Sequence, residues 1–333
     1  MIKQKKFNGK NILITGGAGF IGSNLAFYFQ KNFPSSNVVI FDCFRNGSTF
    51  SNGSLQSFGH YKNLIGFEGE VICGNINNED DLALLNKYKF DYIFHQAAIS
   101  DTRVLDEEII MKTNVNSFYR LLDLAKENSA AMVYASSAAT YGSISSPQTV
   151  GKESPENPYG YSKYVMDKIA INYSKKNPEM TISGLRYFNV YGPREFYKDK
   201  TASMVIQLAH QILDGKAPRL FKESHQILRD FIYIDDVVQA NIKACNTNTK
   251  GIFNIGTGEP RSFQEIADIL QNELGTDLGT KYFPNPHNGY QMHTQADISS
   301  SKKILDFKAK FTLEDGIKAY LPEILRLHCT NTS

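Results

Sequence analysis

Three glycines near the start of the chain constrain its fold more than any other feature. Gly16, Gly19 and Gly22 follow the apolar run 11–15 and lead into a helix predicted at about residues 20–32. Because glycine has no side chain, these positions permit a sharp turn, the close approach of a ligand and tight packing of a helix on a strand. The N–H groups of the first helical turn are then free to bind a pyrophosphate. The pattern predicts a dinucleotide-binding βαβ unit.

An acidic residue in the next strand supports this prediction. Asp42 ends the apolar run 37–42, about twenty residues after the glycines. A carboxylate at this position can accept hydrogen bonds from a ribose diol, which favours NAD. Arg45 lies close enough in the sequence to meet the 2′-phosphate of NADP. These residues therefore leave NAD and NADP open as alternatives.

Short apolar runs alternate with longer helical patterns through the first half of the chain. The predicted strands are 11–15, 38–42, 71–73, 91–94, 131–135 and 181–185, and the predicted helices are about 20–32, 79–88, 107–127 and 160–175. This alternation predicts an α/β fold with a Rossmann-type, doubly wound parallel sheet.

Beyond residue 190 the alternation loosens, and loops separate helices predicted near 202–214, 235–247, 262–274 and 313–327. We therefore predict a dinucleotide-binding domain at 1–185. Residues 186–333 are predicted to form mainly a smaller, partly interleaved substrate lobe, with some segments returning to the first domain.

Composition and charge exclude several classes of function. The 333 residues are 41% hydrophobic and 21% charged, and the net charge of +2 is spread without a basic patch, which disfavours a nucleic-acid partner. The basic N-terminal tail is followed by too few apolar residues for a signal peptide or a membrane span, so we expect a cytoplasmic protein. The four cysteines and seven histidines have no metal-ligand spacing, so no metal is expected.

A second group of residues carries acid–base chemistry. Tyr159 and Lys163 are four residues apart, which places them on one face of a helix. A lysine cation near a phenol lowers its pKa, so that the phenol can exchange a proton with an alcohol. Ser137 ends an apolar strand upstream and can hydrogen-bond the same alcohol. Tyr161 is the rival phenol, but its spacing to Lys163 places it on another helix face.

These motifs resemble those of the extended short-chain dehydrogenase/reductase family, whose members act on nucleotide sugars. The resemblance rests on the glycine motif, SSAATYG at 136–142 and YGYSK at 159–163. Further blocks resemble the branch that inverts C6 of ADP-linked heptose for the lipopolysaccharide core, and they lie at 95–98, 185–195, 229–237, 251–258 and 290–297. The resemblance implies a homo-oligomer.

The resemblance implies distinct roles for the site residues. Ser137, Tyr159 and Lys163 match catalytic positions, and Lys198 matches a second acid/base for the opposite face of a transient 6-keto sugar. Residues implied to bind the nucleotide sugar are Ser100, Asn189, Lys198, Phe221, Ser224, Arg229 and Tyr290. Residues implied to bind the cofactor are Gly16, Gly19, Phe20, Ile21, Gly22, Asp42, Arg45, Asn75, Ile76, Gln96, Ala97, Ala98, Asn114, Tyr159 and Lys163.

The resemblance also implies a tightly bound cofactor, because the reaction has no net redox change. Relatives usually carry NADP, which we therefore expect, with NAD as the alternative. Thr49 stands where those relatives have a lysine, and this departure weakens the assignment of NADP.

Related reactions remain as alternatives with different sequence marks. A 4,6-dehydratase needs an acid pair after the strand-end serine, where this chain has Ala138 and Ala139. A UDP-hexose 4-epimerase shares the glycines, the serine and the Tyr/Lys pair, so it is the nearest alternative. A non-catalytic dinucleotide sensor is disfavoured, because Ser137, Tyr159 and Lys163 are all present.

Overall fold

A parallel seven-stranded sheet lies at the centre of the computed structural model, which describes residues 6–246, 249–286 and 291–331. The twelve strands are β1 Asn11–Thr15, β2 Asn37–Asp42, β3 Glu70–Cys73, β4 Tyr92–His95, β5 Ala131–Ser137, β6 Ile182–Tyr187, β7 Asn189–Tyr191, β8 Arg219–Phe221, β9 Leu228–Tyr233, β10 Gly251–Ile255, β11 Pro260–Ser262 and β12 Lys281–Phe283. The large sheet has the order β10-β6-β5-β4-β1-β2-β3, and all its pairs are parallel. The predicted Rossmann-type fold is confirmed.

Helices cover both faces of this sheet. They are α1 Phe20–Asn32, α2 Glu79–Ala83, α3 Glu107–Ile110, α4 Ser117–Asn128, α5 Pro158–Lys176, α6 Met204–Leu213, α7 Ile234–Ala244, α8 Phe263–Leu274, α9 Ser299–Leu305 and α10 Leu313–Asn331. Successive strand residues enter different cores: Ile12 and Ile14 pack with α1 and α7, whereas Leu13 packs with α4 and α5. This burial on both faces is what continuous apolar strands predict.

One predicted helix differs from the observed structure. The pattern at 107–127 predicts a single helix, but a wider π-helical turn, Met111–Asn116, separates α3 from α4. Asn114 lies in this turn with a fully buried side chain. Its amide accepts a hydrogen bond from the Ile99 N–H (2.9 Å) and donates to the Ser162 hydroxyl (2.9 Å). The wider turn thus accompanies polar bonds that periodicity alone does not reveal.

Smaller sheets follow the sixth strand of the chain. Strand β9 pairs with β7 in parallel and with β11 antiparallel, and β8 pairs with β12. Strand β10 lies within 186–333 but pairs with β6 in the large sheet. A segment of the second half therefore does return to the first sheet, while the division into two domains stays a prediction.

None of the helices in the described ranges combines the length and apolarity needed to cross a lipid bilayer.

His95 ends β4 beneath the edge of the sheet where the strands finish. It is 1% exposed, and its Nδ1 lies 2.7 Å from the Thr15 hydroxyl. Burial lowers the pKa of His95 to about 3, and the nearby Lys163 cation acts in the same direction. The folded chain therefore keeps this imidazole neutral at pH values where the unfolded chain protonates it.

This difference predicts a pH-dependent stability that one substitution removes. Between pH 6.5 and pH 3 the unfolded state binds a proton at His95 that the folded state does not, so stability falls on acidification. From pH 7 to pH 5, the wild type should lose about 2 kcal/mol more than His95→Asn. Denaturant unfolding at both pH values measures this difference. The exposed His225→Gln variant is the control and should follow the wild type, and equal losses in His95→Asn would contradict the prediction.

Candidate active site

A cleft of about 390 Å³ opens where the parallel strands end. The carboxyl ends of β1, β2, β4, β5 and β6 all contribute to it, as expected for ligand sites in α/β sheets. The predicted site residues that line it are Gly16, Gly19, Phe20, Ile21, Gly22, Asp42, Asn75, Ile76, Gln96, Ala97, Ala98, Ser100, Ser137, Tyr159, Lys163 and Lys198. The structure therefore brings both sequence motifs and Lys198 to one cleft.

The glycine turn at one end of the cleft has no room for side chains. Gly16 has a φ of +68°, and a Cβ there would lie 2.6 Å from the Ala97 nitrogen. A Cβ on Gly22 would lie 2.2 Å from the Gly16 carbonyl oxygen. Gly19 caps α1 without a side-chain hydrogen bond, and Phe20, Ile21 and Gly22 of the first turn line the cleft. This arrangement suits a diphosphate.

Asp42 lies at the end of β2 in the same cleft. It is 5% exposed, and its carboxylate accepts hydrogen bonds from the N–H groups of Ala18 (2.9 Å) and Phe44 (2.8 Å). Burial raises the pKa of this carboxyl, and the two backbone hydrogen bonds oppose that rise. Asp42 therefore ties the glycine turn to the loop after β2, and its carboxylate could accept a hydrogen bond from a ribose.

Arg45 does not line this cleft. Its guanidinium donates to the Tyr197 carbonyl oxygen, on the segment that carries Lys198. The His60 ring also stacks on the Tyr197 ring, with 4.0 Å between centroids. Arg45 thus joins the loop after β2 to the segment around Lys198.

The Tyr159 phenol and the Ser137 hydroxyl are hydrogen-bonded at the wall of the cleft. Lys163 is 1% exposed; its Nζ donates to the Ala135 carbonyl oxygen (2.8 Å) and lies 5.9 Å from the Tyr159 ring centroid. Burial raises the pKa of Tyr159 and the bond to Ser137 lowers it in part, whereas burial lowers the pKa of Lys163 to about 8. The direction for Tyr159 is opposite to the expected one, because desolvation of the phenolate outweighs its neighbours.

Lys198 approaches the cleft from a different part of the fold. It lies in a 3₁₀ segment, Phe196–Thr201, and its Nζ is 5.6 Å from the Phe20 ring centroid. Burial lowers the pKa of Lys198, while Glu195 and Asp101 act to raise it. An ammonium and a phenol from separate segments therefore share one cleft.

Glu195 is a buried residue whose role the sequence did not indicate. Its carboxylate accepts hydrogen bonds from the Gly192 N–H (3.2 Å), the Ser203 N–H (2.7 Å) and the Ser203 hydroxyl (2.7 Å). These donors lie on either side of the segment that carries Lys198. Glu195 therefore fixes both ends of that segment.

Asp101 is the second acidic residue that sequence reasoning missed. It is 5% exposed, and it accepts hydrogen bonds from the Ser54 hydroxyl (2.5 Å) and the Arg103 guanidinium (2.8 Å). Burial acts to raise the pKa of Asp101, but the bonds from Arg103 and Ser54 outweigh it and hold the pKa at about 2. No motif in the sequence marks this position: Arg103 is two residues away, and Ser54 comes from a distant loop.

Several predicted residues lie away from this cleft. Phe221 and Ser224 line a second cavity of about 530 Å³ between α6, β8 and the start of α8. Arg229 is 7% exposed and donates to the backbone carbonyls of Leu228 (2.8 Å) and Gln291 (2.5 Å). Asn189 is exposed at the start of β7.

Two tyrosines remain: the predicted substrate contact Tyr290 and the rival phenol Tyr161. Tyr290 lies outside the described residues, so its predicted role stays a prediction. Tyr161 is 50% exposed and packs near Tyr164 on the outer side of α5, away from the cleft. Within the described ranges, no group of three or more His, Cys, Asp or Glu side chains is arranged to hold a metal ion.

Close contact between α5 and the end of β5 predicts the effect of one added methyl group. A Cβ on Gly160 would lie 2.4 Å from the Ala139 carbonyl oxygen, so Gly160→Ala must push the helix away from the turn after Ser137. We expect a loss of about 1–3 kcal/mol in the free energy of unfolding. Denaturant unfolding measures it. The control is Tyr161→Ala on the exposed side of the same turn, which should change stability by less than about 0.5 kcal/mol; an equal effect of both variants would contradict the prediction.

Comparisons with known proteins agree with this geometry. The chain is 36% identical over 316 residues to an ADP-L-glycero-D-manno-heptose-6-epimerase of Brachyspira hyodysenteriae, covering 93% of this chain and 96% of that protein. It is also similar to the crystal structure of the Helicobacter pylori ADP-L-glycero-D-manno-heptose-6-epimerase, with 51% identity, a TM-score of 0.88 and coverage of 96% of this chain and 97% of that one.

A relative with another substrate has the same fold. The UDP-glucose 4-epimerase of Thermotoga maritima is 27% identical, with a TM-score of 0.83 and coverage of 96% of this chain and 99% of that one. The model of the NAD dependent epimerase/dehydratase family matches residues 12–256. With that match across most of the large sheet and the cleft, the chain belongs to the NAD dependent epimerase/dehydratase family.

Proposed function

We propose that this protein inverts C6 of ADP-D-glycero-β-D-manno-heptose to give the L-glycero epimer. The observation that carries the proposal is one cleft lined by a phenol, Tyr159, and an ammonium, Lys198, from separate segments. Inversion through a 6-keto sugar needs proton handling from two directions, which one group cannot supply. The names of the relatives at 36% and 51% identity support the choice of substrate.

The residues of the cleft fit a nicotinamide dinucleotide, because side chains on Gly16 and Gly22 would collide with the backbone around them. A bound dinucleotide supplies the hydride acceptor and donor. The glycine turn and the start of α1 would hold its diphosphate, and Asp42 would accept hydrogen bonds from its ribose. Since the hydride is returned, there is no net oxidation, and the dinucleotide need not leave between turnovers.

The acid–base steps fall to the chain's own side chains. For one epimer, the Tyr159 phenolate oxygen accepts the proton of the C6 hydroxyl while Ser137 donates a hydrogen bond to the same oxygen. The carbonyl group then presents its other face, where the Lys198 ammonium would donate a proton to the C6 oxygen. In the reverse direction, the two groups exchange the roles of acid and base.

The nucleotide part of the substrate fits the second cavity. Phe221 and Ser224 line it together with residues of α6, and α6 begins three residues after the segment that carries Lys198. We assign Ser100, in the first cleft, to the sugar. Asn189, Arg229 and Tyr290 stay predicted contacts of the nucleotide sugar. We also propose that the enzyme is a homo-oligomer and that it acts in the cytoplasm.

The assignment of Tyr159 and Lys198 as two acid–base groups predicts that neither group alone is sufficient for inversion at C6. Tyr159→Phe and Lys198→Met should each reduce kcat by about 10²-fold or more, because each removes one proton-transfer group, while the dinucleotide stays bound. NMR of the product formed from ADP-D-glycero-β-D-manno-heptose measures the inversion at C6. The exposed Lys200→Met variant is the matched control and should retain wild-type turnover. Full activity in both Tyr159→Phe and Lys198→Met would refute the assignment.

The same NMR assay, run with UDP-galactose, tests the alternative. A wild-type protein that converts only UDP-galactose is a UDP-hexose 4-epimerase, the activity in the name of its Thermotoga relative. Conversion of neither sugar would contradict both catalytic proposals.

The geometry around Asp42 favours NAD over the NADP expected from the resemblance. The buried carboxylate would repel a 2′-phosphate, and the Arg45 guanidinium is bonded to the Tyr197 carbonyl instead of lining the cleft. Protein freed of dinucleotide should bind NAD about tenfold more tightly than NADP, as measured by titration calorimetry. Asp42→Asn should reduce that ratio, because it removes the repelling charge. Tighter binding of NADP to the wild type would contradict the proposal.

A further inference from the structure

Helix α5 and strand β5 are bonded to each other turn by turn beneath the cleft. Tyr159, Lys163 and Asp167 are four residues apart along α5, so they share one face of the helix. Tyr159 meets the hydroxyl of Ser137, and Lys163 donates to the carbonyl of Ala135. The third member, Asp167, has no part in the proton transfers described above.

The Asp167 carboxylate is fully enclosed by donors. It is 1% exposed and accepts hydrogen bonds from the Tyr134 hydroxyl (2.8 Å), the Ser136 hydroxyl (3.0 Å) and the Arg186 Nε (2.9 Å). The missing side chain at Gly184 makes room for Tyr134, because a Cβ there would lie 2.4 Å from the phenol oxygen. Such a network holds the carboxylate in one place.

Arg186 has a second carboxylate partner on the side away from the lysine. Its Nη1 lies 2.6 Å from Glu153 Oε1, while its Nη2 lies 2.8 Å from Asp167 Oδ2. Arg186 and both carboxylate side chains are at most 7% exposed. The guanidinium therefore has two buried anions, of which Asp167 lies one helical turn from Lys163.

We propose that Asp167 is a positioning residue for proton transfer at Tyr159: held by Arg186, Tyr134 and Ser136, its carboxylate keeps the Lys163 ammonium charged and directed to the end of β5. The inference rests on the proposed function. Its physical basis is that a buried cation without a nearby anion is unstable, and Lys163 is 1% exposed with a backbone carbonyl as its hydrogen-bond partner.

The groups around Lys163 determine the direction in which its pKa moves when the charge of Asp167 is removed. They are Tyr159 and Asp167 on α5 and His95 on β4. Tyr134 on β5 and Arg186 on β6 contact Asp167 from the neighbouring strands. His95 is neutral because its pKa is about 3, and burial raises the pKa values of both phenols. Burial lowers the pKa of Lys163 to about 8 and Asp167 opposes it, so removing the Asp167 charge lowers that pKa further.

The test compares two substitutions that each remove one carboxylate from Arg186. Asp167→Asn takes away the charge one turn from Lys163, whereas Glu153→Gln takes away the other partner and leaves Lys163 untouched. Turnover of the full-length holoprotein is followed from pH 6 to pH 10. In Asp167→Asn the alkaline fall in kcat should move about one pH unit lower, with KM within about twofold of the wild type. Glu153→Gln should keep the wild-type profile.

Two results would overturn the inference: an unshifted profile in Asp167→Asn, or an equal shift in Glu153→Gln. If Asp167→Asn fails to fold, the double variant with Arg186→Gln removes the unpaired buried cation and should show the same shift, and an unshifted profile there overturns it too. The profile is read on whichever nucleotide sugar the wild type converts. Lack of wild-type turnover of ADP-heptose therefore refutes the proposed function, independently of the role of Asp167.

Discussion

The contact between the first turn of α5 and the end of β5 is the constraint on which the site depends. Gly160 lets the helix approach the Ala139 carbonyl, and Lys163 bonds the Ala135 carbonyl from the next turn. These two contacts fix the helix in distance and in rotation. Tyr159 consequently lies beside Ser137 at the cleft, without any flexible loop to place it. The phenol is preorganised by secondary structure, which suits the acid–base role proposed for it.

The other group proposed to transfer a proton, Lys198, is held in a different way. Lys198 lies in a short 3₁₀ segment, which has little internal rigidity of its own. The buried Glu195 carboxylate accepts hydrogen bonds from Gly192 before the segment and from Ser203 after it. A single side chain therefore holds both ends of the segment in place. In the proposed mechanism, a group on a rigid helix therefore acts on one face of the sugar, and a group on a segment with fixed ends acts on the other.

Much of this structure could be predicted from the sequence, and there are physical reasons why the rest could not. The glycine turn, the parallel strands and the Tyr159/Lys163 pair depend on local spacing, which the sequence displays directly. The π-helical turn at Asn114 and the bond from Ser54 to Asp101 depend on partners distant in the chain. The partners of Glu195 are near in sequence, but the irregular backbone around Lys198 that brings them together has no periodicity to predict it. The pKa of Tyr159 was expected to fall because of Lys163, but it rises because burial, which spacing does not report, is the larger effect.

The bond from Arg45 to the Tyr197 carbonyl, together with the stacking of His60 on Tyr197, has a consequence for how this protein can diverge. The loop that would meet the adenosine end of a dinucleotide is mechanically attached to the segment that carries Lys198. A substitution of Arg45 that alters coenzyme preference would therefore also affect the segment that carries Lys198. Under the proposed function, a single replacement in that loop that changed the coenzyme would also disturb the support of Lys198, so evolution of one place constrains the other.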